Sequence, residues 1–275
     1  MSSPKIGLAL SGGAARGMAH VGVLRALVEH GIRIDCIAGT SAGSIVGGAF
    51  AAGMSVDEIA DFGRKLRWRH VGRITLSRFG VQTNARLEKF MRARMPITKF
   101  EDLPMPFAAV ATDLKTGEPV VMKDEGDVPF AIRASCTIPG WYVPVPDREG
   151  RQLVDGGLVA VIPSAVTRAL GADIVISVDV NSAGATFLPT FLSSSGSVFG
   201  VLLQSMMLVQ KVVCRQHCEL SDLVITPKVG HIRWDQVRRA DELMAAGYEA
   251  GLESIPKIRA LIESRPEVPQ LLNIS

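Results

Sequence analysis

Gly39-Thr40-Ser41-Ala42-Gly43 follows the apolar run Ile37-Ala38 and opens a small-residue segment from Ser44 to Gly53. A strand that turns sharply into a helix around Gly-x-Ser-x-Gly exposes the serine hydroxyl at the turn, and glycines two residues to either side relieve crowding there. Ser41 is therefore a candidate nucleophile, and the N–H of Ala42, just inside the helix, is a candidate donor to a developing oxyanion. The same five residues also fit an ordinary strand-to-helix loop, so the decision rests on what accompanies them.

Two segments do. Ser11-Gly12-Gly13-Ala14-Ala15-Arg16-Gly17 comes directly after the expected strand Ile6 to Leu10 and before a helical pattern from Met18 to about His30. Backbone N–H groups in such a loop, next to a helix N-terminus, converge on one spot and favour negative charge, which suits an oxyanion hole. A dinucleotide fingerprint is the competing reading. It fails where Ala14 stands in place of the middle glycine, and where Asp35 precedes the strand Cys36 to Ala38 instead of ending it. Leu153-Val154-Asp155-Gly156-Gly157 is an apolar run ending in an acid and two permissive glycines. Such an aspartate can stand at a strand end, where open α/β sheets collect catalytic groups, although an Asp-Gly turn is common on its own.

In this order the three segments resemble the patatin-like phospholipase family: a glycine-rich loop with a basic residue, Gly-x-Ser-x-Gly, then Asp-Gly-Ala or Asp-Gly-Gly. The resemblance runs from Ile6 to about Val180 and takes in Ala111-Thr112-Asp113-Leu114 and Arg133-Ala134-Ser135 leading to Ile138-Pro139; Met206 to Thr226 also resembles bacterial members. It implies an α/β three-layer sandwich with a central, mostly parallel sheet and the elbow after an inner strand. It further implies a lipid acyl hydrolase with Ser41 as nucleophile and Asp155 as its sole partner. Gly12, Gly13 and Ala14 become backbone donors, and Gly17, Gly39, Gly43, Gly156 and Gly157 become motif support. The family's loop usually has three consecutive glycines. Ala14 keeps the N–H, and the hole is expected to survive if its φ is negative.

The elements needed to position these residues are legible. Helical and strand patterns alternate through Ile6 to Leu10, Met18 to His30, Cys36 to Ala38, Ser44 to Ala52, Val161 to Leu170 and Ile174 to Val178, which argues for a largely parallel sheet covered by helices. With 275 residues, 47% hydrophobic and 21% charged, and no repeat or long polar tract, one domain is expected, with a core at about 6–180 and a helix and strand extension at about 198–265. Met1 to Lys5 runs straight into the first strand with no apolar h-region, which gives a cytoplasmic expectation.

Cys36, Cys136, Cys214 and Cys218 are irregularly spaced, so reduced thiols are expected rather than a disulfide framework. Cys214, His217 and Cys218 share a helical stretch, but no fourth ligand with zinc-like spacing accompanies them; no metal and no organic cofactor is expected. Residues 184–210 carry no charge, yet Pro189 and the Ser193 to Ser197 cluster leave an apolar helix of only about a dozen residues where a span needs about 20. Its Met206-Met207-Leu208 is expected in the core rather than in an acyl pocket.

Arg64 to Arg94 holds ten Lys or Arg against the single acid Glu88, a balance of +9 in a chain of +3. A solvated face is one reading. With Trp68, Phe79, Phe90 and Met91 interleaved, docking on an anionic membrane is the other, and no nucleic-acid module surrounds the segment. Arg16 has two readings as well, attracting a substrate phosphate or carboxylate, or bracing its loop by pairing with a buried acid. Competing functions are a Ser-His-Asp esterase or thioesterase drawing on His217 or His231, and a regulatory adaptor that binds an acyl ligand or a protein.

Overall fold

The computed structural model describes residues 3–181 and 198–264. Residues 182–197, with Pro189 and the serine cluster, lie outside them. In chain order the strands are β1 (Ile6–Leu10), β2 (Cys36–Thr40), β3 (Arg73–Ser77), β4 (Gly80–Thr83), β5 (Phe107–Asp113), β6 (Pro119–Met122), β7 (Gly140–Tyr142), β8 (Val145–Pro146), β9 (Gln152–Asp155), β10 (Ile174–Val178) and β11 (Leu223–Ile225). The helices are α1 (Met18–Glu29), α2 (Ala42–Ala51), α3 (Val56–Lys65), α4 (Trp68–Val71), α5 (Ala85–Arg92), α6 (Val128–Ser135), α7 (Ser164–Ala169), α8 (Val198–Cys218) and α9 (Ala240–Ser264).

The main sheet has the order β11-β10-β1-β2-β5-β9-β8, with β6 also paired to β5. The strands from β11 to β5 are mutually parallel, and β6, β8 and β9 add antiparallel pairs at one end. Parallel strands covered on both faces need apolar side chains at every position. That is why Ile6-Gly7-Leu8-Ala9-Leu10 reads as an unbroken apolar run and Ile174 to Val178 is interrupted only by Ser177, whose hydroxyl is bonded to those of Ser164 and Ser221; both strands are buried throughout. Ile6, Leu8, Leu10 and Ile37 face the larger cluster, with α1, α2 and α9, while Ala9, Cys36 and Val175 face Cys214 of α8 on the other side. The result is the expected α/β sandwich of three layers, with the elbow after β2, an inner strand.

Register then levels the motif residues. Leu10 pairs with Gly39, Thr40 with Val110, and Ala111 with Asp155. Ser41 and Asp155 therefore flank β5 at the same height, and the loop after β1 opens at the same end of the sheet.

Three boundaries differ from the sequence reading. α2 begins at Ala42, because Ser41 itself makes the turn. Of Val161 to Leu170 only Ser164–Ala169 is helical; Val161 and Ile162 are buried coil ahead of Pro163. α8 is longer than the expected dozen residues, continuing through Lys211 and Arg215 to Cys218. No helix among the described residues is long and apolar enough to cross a membrane. Leu208 is 55% exposed rather than in the core, and the side chains of Met206 and Met207 lie outside what is described.

α9 runs back against α1 so closely that a Cβ on Gly22 would stand 1.9 Å from the Met244 carbonyl oxygen. Backbone meets backbone there, so neither side can yield by changing rotamer. Gly22→Ala is expected to destabilise the fold by about 1–3 kcal/mol, read from the urea midpoint. An unchanged midpoint would mean that the two helices are not held at this distance.

Candidate active site

At the end of β2 the chain reverses into α2 through Ser41, which has φ 51° and ψ −121°. A side chain in that region is strained by roughly 1–3 kcal/mol, and the neighbours must hold it there. Three contacts do so. The Ser41 N–H donates to the Ser135 hydroxyl at 2.8 Å, which in turn donates to the Val110 carbonyl at 2.6 Å. The Ser44 hydroxyl donates to the Ser41 carbonyl at 2.6 Å. Gly39 and Gly43 are present for room rather than for unusual φ: a Cβ on Gly43 would lie 2.1 Å from the Leu10 carbonyl oxygen, and one on Gly39 2.5 Å from that of Gly43.

Asp155 ends β9. Its N–H donates to the Thr137 carbonyl at 2.7 Å, and its Oδ1 accepts the Gly157 N–H at 2.8 Å. The carboxyl group is buried and is pushed up to about 6 by loss of hydration, against the opposing pull of the Gly157 N–H and a hydrogen bond from the Ser41 side chain. Gly156 lies under β5, where a Cβ would meet the Val110 carbonyl oxygen at 2.2 Å; a Cβ on Gly157 would press on Gln210 and on Asp155 itself. These glycines serve close approach, since neither has a positive φ.

The loop after β1 is partly as expected. Gly12 is not a free donor, because its N–H is committed to the Val161 carbonyl at 3.0 Å. Among the described residues the N–H groups of Gly13 and Ala14 have no acceptor, and the Ala42 N–H, first in α2, has none by helix geometry. The loop packs directly on the elbow: a Cβ on Gly12 would lie 3.4 Å from the Ser41 Cβ, and one on Gly17 2.4 Å from the Ala42 Cβ. Ala14 has φ 48°, so the condition of a negative φ for survival of the hole is not met; the chain bends there into the short 3-10 turn Ala14–Gly17, whose Ala15 N–H is bound to the Trp234 carbonyl, and the Ala14 N–H is nonetheless left without an acceptor among the described residues.

Arg16 is fully buried, and its Nε donates to the Ile232 carbonyl at 2.6 Å. Burial lowers its pKa to about 10. The contact with the Ile232 carbonyl is one that a brace for the loop makes.

Two residues packed beside the site were not assigned to it from the sequence. His20, on the first turn of α1 and fully buried, hydrogen-bonds through Nε2 to the Ser11 carbonyl at 2.8 Å; burial depresses its pKa to about 4, so the ring is neutral and donates. It fixes the start of the donor loop. Cys136 is buried against Ser44, with Ser41 and Asp155 close enough to shift its thiol, which desolvation raises well above the ordinary range. For His20 the available signal was a polar residue inside an otherwise apolar stretch; Cys136, between Ser135 and Thr137, gave none. An apolar pocket opens at Ser41 and Ala14, lined by Met18, Ile45, Phe62, Leu66, Leu87 and Tyr142 among others.

The histidines lie elsewhere. His231 pairs with Glu242 on the surface, His30 bonds the Ala26 carbonyl, and His70 stacks on Phe90. Among the described residues no histidine hydrogen-bonds Ser41 or Asp155. The Cys214, His217 and Cys218 grouping also changes: Asp179, not His217, stands with the two thiols.

Residues 8–167, a span that holds the donor loop, Ser41 and Asp155, match the family described as patatin-like phospholipase. The chain belongs to the patatin-like phospholipase family. It is 41% identical to an uncharacterized NTE family protein of Mycobacterium tuberculosis over 187 residues, 67% of this chain and 51% of that one. Lysophospholipase NTE1 of Mycosarcoma maydis is 38% identical over 185 residues, 64% of this chain and 10% of the relative. The chain thus spans about half or less of these curated relatives. Among solved structures, VipD of Legionella pneumophila aligns at a TM-score of 0.61 and 14% identity, covering 96% of this chain and 67% of that one. Human GIVD cytosolic phospholipase A2 aligns at 0.53 and 12%, covering 96% and 60%. At such identities the likeness is one of fold, and it is the patatin-like sandwich described above.

The raised carboxyl fixes the sign of a stability effect. Unfolded, Asp155 ionises near 3.8; folded, near 6. Folding is therefore penalised as pH rises between these values, by at most about 3 kcal/mol above pH 6, and not at all below about pH 4. Asp155→Asn keeps an oxygen for the Gly157 N–H and removes the charge. It is expected to be more stable than wild type at pH 7.5 and no more stable at pH 4, by denaturant titration. Equal stability at pH 7.5 would contradict the desolvation of this carboxylate.

Proposed function

We propose that this patatin-like protein is a serine acyl hydrolase that cleaves fatty-acyl ester bonds of phospholipids, lysophospholipids or related lipid esters through a Ser41–Asp155 dyad. The observation that carries the proposal is the juxtaposition, in one place, of a strained serine, a desolvated aspartate bonded to it, unpartnered N–H groups and an apolar pocket. Ser41 Oγ attacks the ester carbonyl as its proton passes to Asp155. The oxyanion is received by the N–H groups of Gly13, Ala14 and Ala42, while the acyl chain lies in the pocket, where each buried methylene contributes about 0.8 kcal/mol. The alcohol leaves with the proton from Asp155, and a water deprotonated by Asp155 then releases the acid. An ordinary aspartate is a weak base for these steps, and the pKa near 6 brings it close to the working range. The lysophospholipase name of the fungal relative supports a lysophospholipid among the substrates.

Contact with an anionic membrane is the second part of the proposal, in a narrower form than the basic composition implied. Phe90 and Met91 belong to the core, and Trp68 is half buried, its Nε1 on the Asp235 carbonyl. Arg64 pairs with Asp61 and Asp241, Arg92 with Glu88 and Asp127. What projects is the β3–β4 hairpin, with Ile74 77% and Phe79 62% exposed and Arg73 and Arg78 beside them. Its β4 pairs with β7, whose Tyr142 lines the apolar pocket.

Ser41→Ala is expected to lose both hydrolysis of a short-chain chromogenic ester and labelling by a fluorophosphonate. In the wild type kcat/KM should climb tenfold per pH unit below about pH 6 and level off above it, as Asp155 loses its proton. Retained activity in Ser41→Ala, or a rising limb near pH 7 that moves in a histidine variant, would replace the dyad with another mechanism.

Replacing Arg73 and Arg78 with glutamine should weaken binding to anionic liposomes by roughly 1 kcal/mol per charge, less at high salt, with soluble-ester hydrolysis intact. Equal sedimentation with liposomes at low salt would make the hairpin a plain solvated edge.

A further inference from the structure

Behind the donor loop, on the far side of β10 from the main core, three soft or anionic groups converge that the proposed hydrolysis does not use. Asp179 follows β10 directly and is buried; Cys214 is buried and Cys218 half-buried, one turn apart on the same face of α8. Cys214 Sγ lies 3.4 Å from Asp179 Oδ2, and all three candidate ligand atoms are within 4.8 Å of one another. A tetrahedral zinc ion with bonds of about 2.3 Å to sulfur and about 2.0 Å to oxygen sets its S and O ligands about 3.5 Å apart and two sulfurs about 3.8 Å apart. The Cys214–Asp179 edge already has that length. The other two edges are no longer than 4.8 Å and both involve Cys218, the most exposed of the three.

We propose that Asp179, Cys214 and Cys218 form a binding site for a thiophilic divalent cation of the zinc class, with water in the fourth position. Both thiols give up their protons as the two metal–sulfur bonds form, so about two protons leave per ion bound. The ion would tie α8 to the end of β10, which is hydrogen-bonded to the donor loop through Asn181. Asp179 Oδ1 accepts the Asn181 N–H at 2.8 Å, and Asn181 Nδ2 donates to the Gly12 carbonyl at 2.6 Å. Site occupancy and loop position are thereby linked through three residues. Nothing in this inference requires that the hydrolase reading be correct, and its test does not read activity.

The probe is Co2+, added to chelator-treated full chain in a non-thiol reductant. One equivalent should produce the intense near-ultraviolet absorption of thiolate-to-cobalt charge transfer, displaceable by Zn2+. Cys214→Ser and Cys218→Ser should each abolish that band, and Asp179→Asn should weaken binding at least about tenfold. Should a variant fail to fold, the wild type still decides: Zn2+ should protect Cys214 and Cys218, and not Cys36, from alkylation mapped by mass spectrometry. No charge-transfer band in the wild type, a band that survives both serine variants, or alkylation of Cys218 unaffected by Zn2+ would overturn the site.

Discussion

A carboxylate taken out of water without a cation beside it is the interaction on which the other features depend. Among the described residues Asp155 keeps only the Gly157 N–H and the Ser41 hydroxyl as side-chain partners, and neither neutralises it. An arginine in that position would have stabilised the charge and lowered the basicity together. The sheet arranges the opposite. Asp155 is the last residue of a strand pressed against β5, with Gly156 so close under a β5 carbonyl that a Cβ there would stand 2.2 Å from the oxygen. The same burial that penalises the folded state near neutral pH is what makes an aspartate a useful proton acceptor there.

The serine side shows a matching economy of contacts. Its backbone sits in a region that side chains avoid, and the hydroxyls of Ser135 and Ser44 and the bare backbone of Gly43 hold it there. The donor loop is fixed from three directions: by the Val161 carbonyl on Gly12, by the His20 ring on Ser11, and by the Ile232 and Trp234 carbonyls on Arg16 and Ala15. With those groups spent, the N–H groups of Gly13 and Ala14 remain available beside Ala42. Preorganised donors of this kind need no rearrangement when charge develops.

Much of this was legible in the sequence because it depends on backbone shape. Parallel strands must be apolar on both faces, and turns this tight admit few residues, so β1, β2, β10 and the three motif segments stand out as letters. What was not legible depends on long-range partners. Nothing in Gly12-Gly13-Ala14 says that the first N–H will meet Val161, or that Ala14 will take a positive φ. The pattern of Phe90 and Met91 among arginines resembled an interfacial face until α5 turned both inward. Asp179 stands 35 residues before Cys214 in sequence and meets the two thiols only where α8 packs beside the end of β10.

The acyl group is proposed to pass through Ser41; the buried thiol of Cys136, which feels the charge of Asp155, is the alternative nucleophile. The most direct measurement is acid quenching of the wild-type protein within milliseconds of mixing with an activated acyl ester, followed by peptide mapping of the acyl adduct. A single stoichiometric adduct is expected on the peptide that carries Ser41. An adduct on Cys136, or turnover with no adduct at any time, would contradict passage through Ser41.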